Sequence, residues 1–309
     1  MNGHPLTLSI LQYKSLQEIT GLLANRYQPE GIICFGYKNR QRQSAGCFAS
    51  HVNSESCHYF LLLITKENAR IEHEVQEFVD HRYRNGKLTI LAHGKETVGE
   101  GIARGNLFFT SVCRYGFQLY SSSGLCLCFD YPEENFETNL AECSSNAYQR
   151  LEMASSFLTA AEKSLYEEHY AACLFLLHQV VEQACLALIR LFMAYRADTH
   201  NLSRLLELTE CFSESAAYFP RELPEDQRLF RMLMKSYSDC RYKDAFEIND
   251  EDAQSLFKRV SGFFAALKSL CHNRLEDETA KENVQEQVFS ALPVGSNSTE
   301  NPMVHVPED

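Results

Sequence analysis

Gly31-Ile32-Ile33-Cys34-Phe35-Gly36-Tyr37 and His58-Tyr59-Phe60-Leu61-Leu62-Leu63-Ile64 are the two stretches that decide the fold of this chain. Each is a short run rich in β-branched and aromatic side chains, which reads as a buried strand. Between them Lys38, Arg40, Arg42, Ser44, Gly46, His51, Asn53, Ser54 and Ser56 read as a long polar loop, with three cations just after a Phe-Gly turn. A strand that ends in glycine and passes into such a loop is a place where backbone N–H groups and cations meet phosphate. The bland alternative for Lys38, Arg40 and Arg42 is a solvated loop.

Outward from these strands the period changes. Leu8, Leu11, Leu16, Ile19, Leu22, Leu23 and Tyr27 fall at near-helical spacing before Pro29. Ile71, Val75, Phe78 and Val79 do the same within 67–83, and Asn85-Gly86 closes that helix. Leu88–Ala92 reads as a third strand, Leu107–Cys113 and Gly116–Tyr120 as further strands, and Leu125–Phe129 as one more. The order implies a small mixed sheet carrying helices. Residues 131–139 turn polar and form a linker. Beyond them 142–166, 169–196, 200–212, 224–238 and 250–272 are helical by length and spacing. The helix over 169–196 is apolar around most of its girdle, which makes it the centre of a bundle. The predicted organisation is an α+β domain over 1–130, a linker over 131–139, an all-α helical bundle over 140–275 and a disordered acidic tail over 276–309.

Charge follows the same division. The net charge of −12 is uneven: residues 1–139 carry 13 Lys+Arg against 14 Asp+Glu, 140–274 carry 15 against 19, and 275–309 carry 1 against 8. The part before the tail is nearly balanced, so a nucleotide ligand is neither favoured nor excluded, while broad duplex binding through a basic face is disfavoured. Of the 12 cysteines, Cys34, Cys113, Cys173 and Cys185 sit in apolar runs as small hydrophobes. No CxxC pair occurs, and Cys126 with Cys128 alone makes no zinc site. No apolar run reaches the roughly 18 to 20 residues of a membrane span, and the start lacks a signal-peptide pattern, so the expectation is a cytoplasmic protein with no membrane partner.

The two strands, with Gly105-Asn106-Leu107-Phe108-Phe109 through Gly116-Phe117-Gln118-Leu119-Tyr120, resemble the minimal nucleotidyltransferase family over roughly residues 8–130. That resemblance implies a Gly-Ser turn for the nucleotide phosphates, two aspartates one residue apart on the second strand, and a third carboxylate from a later strand, together holding Mg²⁺. Here Tyr37 stands in place of the serine, His58 and Phe60 in place of the aspartates, and Leu88–His93 contains no carboxylate. The domain is therefore expected to be degenerate and to lack a resident metal. Glu55, Glu72 and Glu74 are the acids that a rescue would require.

The later part resembles the HEPN family (higher eukaryotes and prokaryotes nucleotide-binding). His169-Tyr170-Ala171-Ala172 with Leu176-Leu177-His178-Gln179-Val180-Val181-Glu182, Thr199-His200-Asn201-Leu202 with Leu205-Leu206, and Tyr237-Ser238-Asp239-Cys240-Arg241-Tyr242 carry that resemblance. The two parts in this order look like kanamycin nucleotidyltransferase-like proteins and Bacteroidetes HEPN-domain proteins. His178 and Glu182 are four apart and share a helix face. A polar pair on an apolar helix needs partners, and Tyr237, Asp239 and Arg241 are candidates. The pair reads equally as a satisfied buried network or as a ligand site. His200 reads as a residue that caps or orients the next helix. Ribonucleases of this family imply an arginine and a histidine four to six residues apart; 242–248 contains no histidine, and Arg196 to His200 has three residues between.

The ligand-binding candidates are thus Gly36, Tyr37, Lys38, Arg40, Arg42, His58, His178, Glu182, Tyr237, Asp239 and Arg241, with no catalytic or metal residue assigned. The leading expectation is a non-catalytic nucleotide-binding or interaction protein, its ligand a nucleotide or RNA. One alternative is an active nucleotidyltransferase moving a nucleotide from NTP to a small molecule or protein, and only that reading calls for Mg²⁺ and NTP. The other is a toxin–antitoxin or stress-response component acting through a protein partner. A homodimer through the bundle is expected.

Overall fold

The structure, a computed structural model, describes residues 8–46, 49–131, 136–242 and 247–290. Within these ranges the side chains of 40–46, 49–55, 136–140 and 277–290 lie outside the described set. The chain divides by its contacts into Met1–Lys268 and Ser269–Asp309. The candidate sites lie within the first unit.

Helix α1, Ile10–Tyr27, begins with a capping box in which the Gln12 N–H donates to Ser9 Oγ and the Ser9 N–H to Gln12 Oε1. Its Leu16, Ile19 and Leu23 are buried, three and four apart, against the sheet. Strand β1, Gly31–Gly46, pairs antiparallel with β2, Ala49–Thr65, in a register that sets Lys38 opposite His58 and Arg40 opposite Ser56. The polar segment expected as a loop is therefore a hairpin that prolongs both strands. An antiparallel pair satisfies its backbone by its own ladder whatever its side chains, so a polar segment without apolar alternation can form one and periodicity misses it.

Helix α2, Glu72–Arg82, leads to β3, Gly86–Gly94, which runs parallel to β2 with Phe60 opposite Thr89. Helices α3, Lys95–Ala103, and α4, Leu107–Tyr115, precede β4, Phe117–Ser121, antiparallel to β1. The sheet order is β3-β2-β1-β4. The apolar run Leu107–Cys113, expected as a strand, is α4. Asn106 caps it by accepting from the Phe109 N–H at 3.2 Å, and Phe108, Phe109 and Val112 are buried at helical spacing. A short apolar run fits either period, and the cap decides.

Side chains make backbone hydrogen bonds at both edge strands. On β3, Gln76 Nε2 donates to the Leu88 carbonyl (2.8 Å), Gln76 Oε1 accepts from Ile90 N–H (3.0 Å), and Glu72 accepts from Ala92 N–H (3.1 Å). On β4, Gln118 donates to the Leu125 carbonyl and accepts from the Leu127 N–H. Residues 125–129 are thus held along the edge by one glutamine amide instead of forming the expected strand. On β3 these bonds occupy edge backbone groups that would otherwise template another chain.

The second part is helical: α5, Phe136–Tyr166; α6, Tyr170–Met193; α7, Leu202–Thr209; α8, Pro224–Tyr242; and α9, Asp250–Ser290. The chain is an α+β sheet region followed by an all-α region, as expected. α6 is long and apolar enough to cross a membrane by length and composition, and 72% of that stretch is buried inside the bundle. The α9 backbone is helical to Ser290, well into the segment expected to be disordered, because its Glu, Lys, Gln and Ala content favours helix. Residues 291–309 of the expected tail lie outside the described residues. The described cysteines are free thiols, and burial pushes Cys34 up to about 12.

Candidate functional site

The predicted ligand residues fall into two clusters. The first forms where α7 and the turn after it lie on the faces of β1, β2 and β3. Glu207, Glu210 and Glu214 are spaced three and four apart, and each meets a group on a strand. Lys87 Nζ is 3.1 Å from Glu207, His58 Nδ1 is 2.8 Å from Glu210, and Lys38 Nζ is 2.6 Å from Glu214. Lys38 also donates to the Ser213 carbonyl at 3.1 Å. His58 Nε2 is 2.8 Å from Thr89 Oγ1. Burial lowers the pKa of His58, with Lys87 adding and Glu210 opposing, so the ring is neutral at neutral pH. One tautomer satisfies both bonds: Nδ1–H donates to Glu210 and Nε2 accepts from the Thr89 hydroxyl.

Gly36 belongs to the same closure. A Cβ built there lies 2.9 Å from Cys211 Sγ, so glycine is what lets the turn after α7 approach β1. Phe60 is fully buried beside His58, their ring centroids 4.2 Å apart, and Tyr37 is partly exposed. The face expected to receive nucleotide phosphates is covered by Glu210, Cys211 and Glu214. The side chains of Arg40, Arg42 and Glu55 lie outside the described residues. Glu72 is engaged at the β3 edge with Ala92 and Arg204, and Glu74 with Arg26 and Tyr27. Among the described residues no three His, Cys, Asp or Glu side chains are grouped to hold a metal ion.

The second cluster lies on the bundle, between α6, α8 and the segment before α7. Glu182, buried on α6, accepts from His200 Nδ1 at 3.0 Å, and His178 Nδ1 stands 3.8 Å from its other oxygen. Tyr237 on α8 stacks near His178 (centroids 5.2 Å, planes 26° apart) and near His200 (5.8 Å, 11°). The Arg241 guanidinium, one turn on, lies 3.9 Å from the Tyr237 ring centre and donates Nε–H to the Tyr237 carbonyl. Burial, then the charges of His200 and Arg241, pulls His178 down to about 4, so this imidazole is neutral at pH 7. Asp239 is buried and accepts from the Ser238 hydroxyl.

The structure therefore brings His178, Glu182, Tyr237 and Arg241 together and sets Gly36, Lys38 and His58 in a separate closure. His200 corrects one expectation. Asn201 caps α7, accepting from the Arg204 N–H, whereas His200 turns to Glu182. Its place in Thr199-His200-Asn201 was the available signal. Glu207, Glu210 and Glu214 were also missed: α7 ends at Thr209, so Glu210 and Glu214 lie beyond it and no helical period marks them as a set.

Residues 147–270 match the model of the HEPN domain family. No curated protein matches the chain. Among solved structures, TT1696 from Thermus thermophilus is 25% identical, covering 40% of this chain and 97% of its own, with a TM-score of 0.31. A nucleotidyltransferase-like protein from Exiguobacterium sibiricum 255-15 is 10% identical over 86% of this chain and 80% of its own, with a TM-score of 0.26. The match falls on the helices that carry His178, Glu182, His200, Tyr237 and Arg241, and residues 147–270 of this chain are a HEPN domain.

Proposed function

We propose that this protein binds a nucleotide or a short RNA without transforming it, and that the ligand rests on the HEPN domain against Tyr237, His200 and Arg241. One observation carries the reading: a half-buried tyrosine, an exposed imidazole lying nearly parallel to it and a guanidinium over its ring are gathered at one place. Aromatic faces receive bases by stacking, and an arginine beside them receives phosphate. Glu182 fixes the His200 ring through Nδ1 and leaves Nε2 without a described partner. The first cluster supports the absence of catalysis, since Tyr37, His58 and Phe60 replace the expected hydroxyl and carboxylates and Glu210 engages His58.

Calorimetric titration with ATP, GTP and a short single-stranded RNA tests the binding. At least one is expected to give a saturable heat, with Tyr237→Leu weakening it about tenfold, the worth of one stacked base. Flat traces with all three overturn the reading. Incubation with α-labelled ATP and Mg²⁺ is expected to leave protein and small amines unlabelled, and label transfer overturns the non-catalytic half.

A further inference from the structure

A separate feature of the bundle is a pocket of about 170 Å³ at one end of α5 and α6, lined by Arg150, Arg190 and Arg196 with Glu142, Asn146 and Tyr195. Three guanidiniums meet there in a chain of net charge −12. Their internal partners use only part of their donor capacity. Arg190 reaches Glu142 at 3.0 Å and the Ala194 carbonyl at 3.1 Å. Arg150 reaches Asn146 at 3.2 Å and Gln183 at 2.7 Å. Arg196 is exposed and has no hydrogen bond or ion pair among the described residues. The lining carboxylate, Glu142, has a largely exposed side chain. Arg150 is half-buried, and burial lowers its pKa; Glu182 opposes that shift, while Arg196 and Arg190 add to it.

We propose that Arg150, Arg190 and Arg196 together hold a phosphate group. Forked guanidiniums match tetrahedral oxyanions, and a dianion between them relieves their mutual repulsion. The volume suits one phosphoryl group, since whole drug-sized ligands occupy roughly 300 to 1,000 Å³. Free phosphate and the phosphomonoester end of a nucleotide share this chemistry.

The test is calorimetric titration of the full chain with inorganic phosphate against chloride at matched ionic strength, then with AMP and adenosine. Phosphate is expected to saturate a single site. Arg196→Ala, a change at an exposed residue with no hydrogen bond or ion pair among the described residues, is expected to weaken it about tenfold, and Arg196→Glu to abolish it. Tyr237→Leu is expected to leave phosphate binding unchanged, which separates this site from the nucleotide reading above. AMP binding with the same Arg196 dependence identifies a phosphomonoester as the ligand; AMP without it, beside saturable phosphate, identifies free phosphate. No saturable phosphate binding, or wild-type binding by both Arg196 variants, overturns the proposal.

Discussion

His58 and His200 each place Nδ1 against a buried glutamate, Glu210 at 2.8 Å and Glu182 at 3.0 Å, yet the His58 side chain is 4% exposed and that of His200 66%. The difference lies in the second nitrogen. His58 Nε2 is engaged by Thr89, so both ends of the ring are used within the protein and the pair is a clasp between sheet and helices. His200 Nε2 has no described partner, so the same pairing presents a ring to solvent. A histidine–glutamate contact therefore says little about function until the second nitrogen is followed.

Breaking the clasp has the largest expected effect. His58→Ala removes a packed ring together with its bonds to Glu210 and Thr89, a loss of about 3 kcal/mol in urea denaturation. Replacing both partners by apolar residues, His58→Leu with Glu210→Met, is expected to recover most of it, since a buried polar pair exchanged for well-packed apolar groups costs little. A double variant as unstable as His58→Ala contradicts the clasp.

The open cluster has its own signature in pH. The unfolded chain protonates His178 near the ordinary value of 6.5, and the folded protein only near 4. Between those values the unfolded state binds more protons, so stability falls as pH is lowered through that window, by roughly 3 kcal/mol for this one group. His178→Phe keeps a ring beside Tyr237 and removes the titration. Its stability is expected to fall less than the wild type's between pH 7 and pH 4.5, and identical slopes contradict the burial of a neutral imidazole. The lowered pKa of His58 contributes in the same direction in both proteins.

Smaller again is Gly36→Ala. Its Cβ meets Cys211 Sγ at 2.9 Å, which is expected to cost about 1 to 2 kcal/mol by overpacking. Adding Cys211→Ala removes the sulfur and is expected to return most of that loss. Without recovery, the glycine serves the strand bulge between Cys34 and Gly36 and not the approach of the helical region.

These particulars also show what a sequence discloses. The buried halves of β1 and β2 and the apolar girdle of α6 were legible because burial on both faces writes a continuous apolar run. The hairpin beyond Lys38 was not, since its polar sequence carries no apolar period. Nor was α4, whose strand-like composition is overruled by the cap at Asn106. At the sites, the four-residue spacing of His178 and Glu182 was visible, and so was the loss of carboxylates at His58 and Phe60. That Glu210 and Cys211 would cover this face was not, because the contact joins residues some 150 positions apart and no local pattern encodes it.

The least costly change separates packing from surface charge. Lys38 and Glu214 form the shortest ion pair of the closure at 2.6 Å, but the Glu214 side chain is 75% exposed. An exposed carboxylate keeps most of its hydration and pays side-chain entropy to hold one geometry, so such a pair adds about 0.5 kcal/mol or less, and less still in salt. Glu214→Gln is therefore expected to shift the urea midpoint barely at all at moderate ionic strength, while Lys38 keeps its bond to the Ser213 carbonyl. A loss of 2 kcal/mol or more that salt abolishes would mean that this face is held shut electrostatically from its rim. The expected small effect assigns the closure to His58, Glu210 and the Gly36–Cys211 approach, which high salt leaves in place.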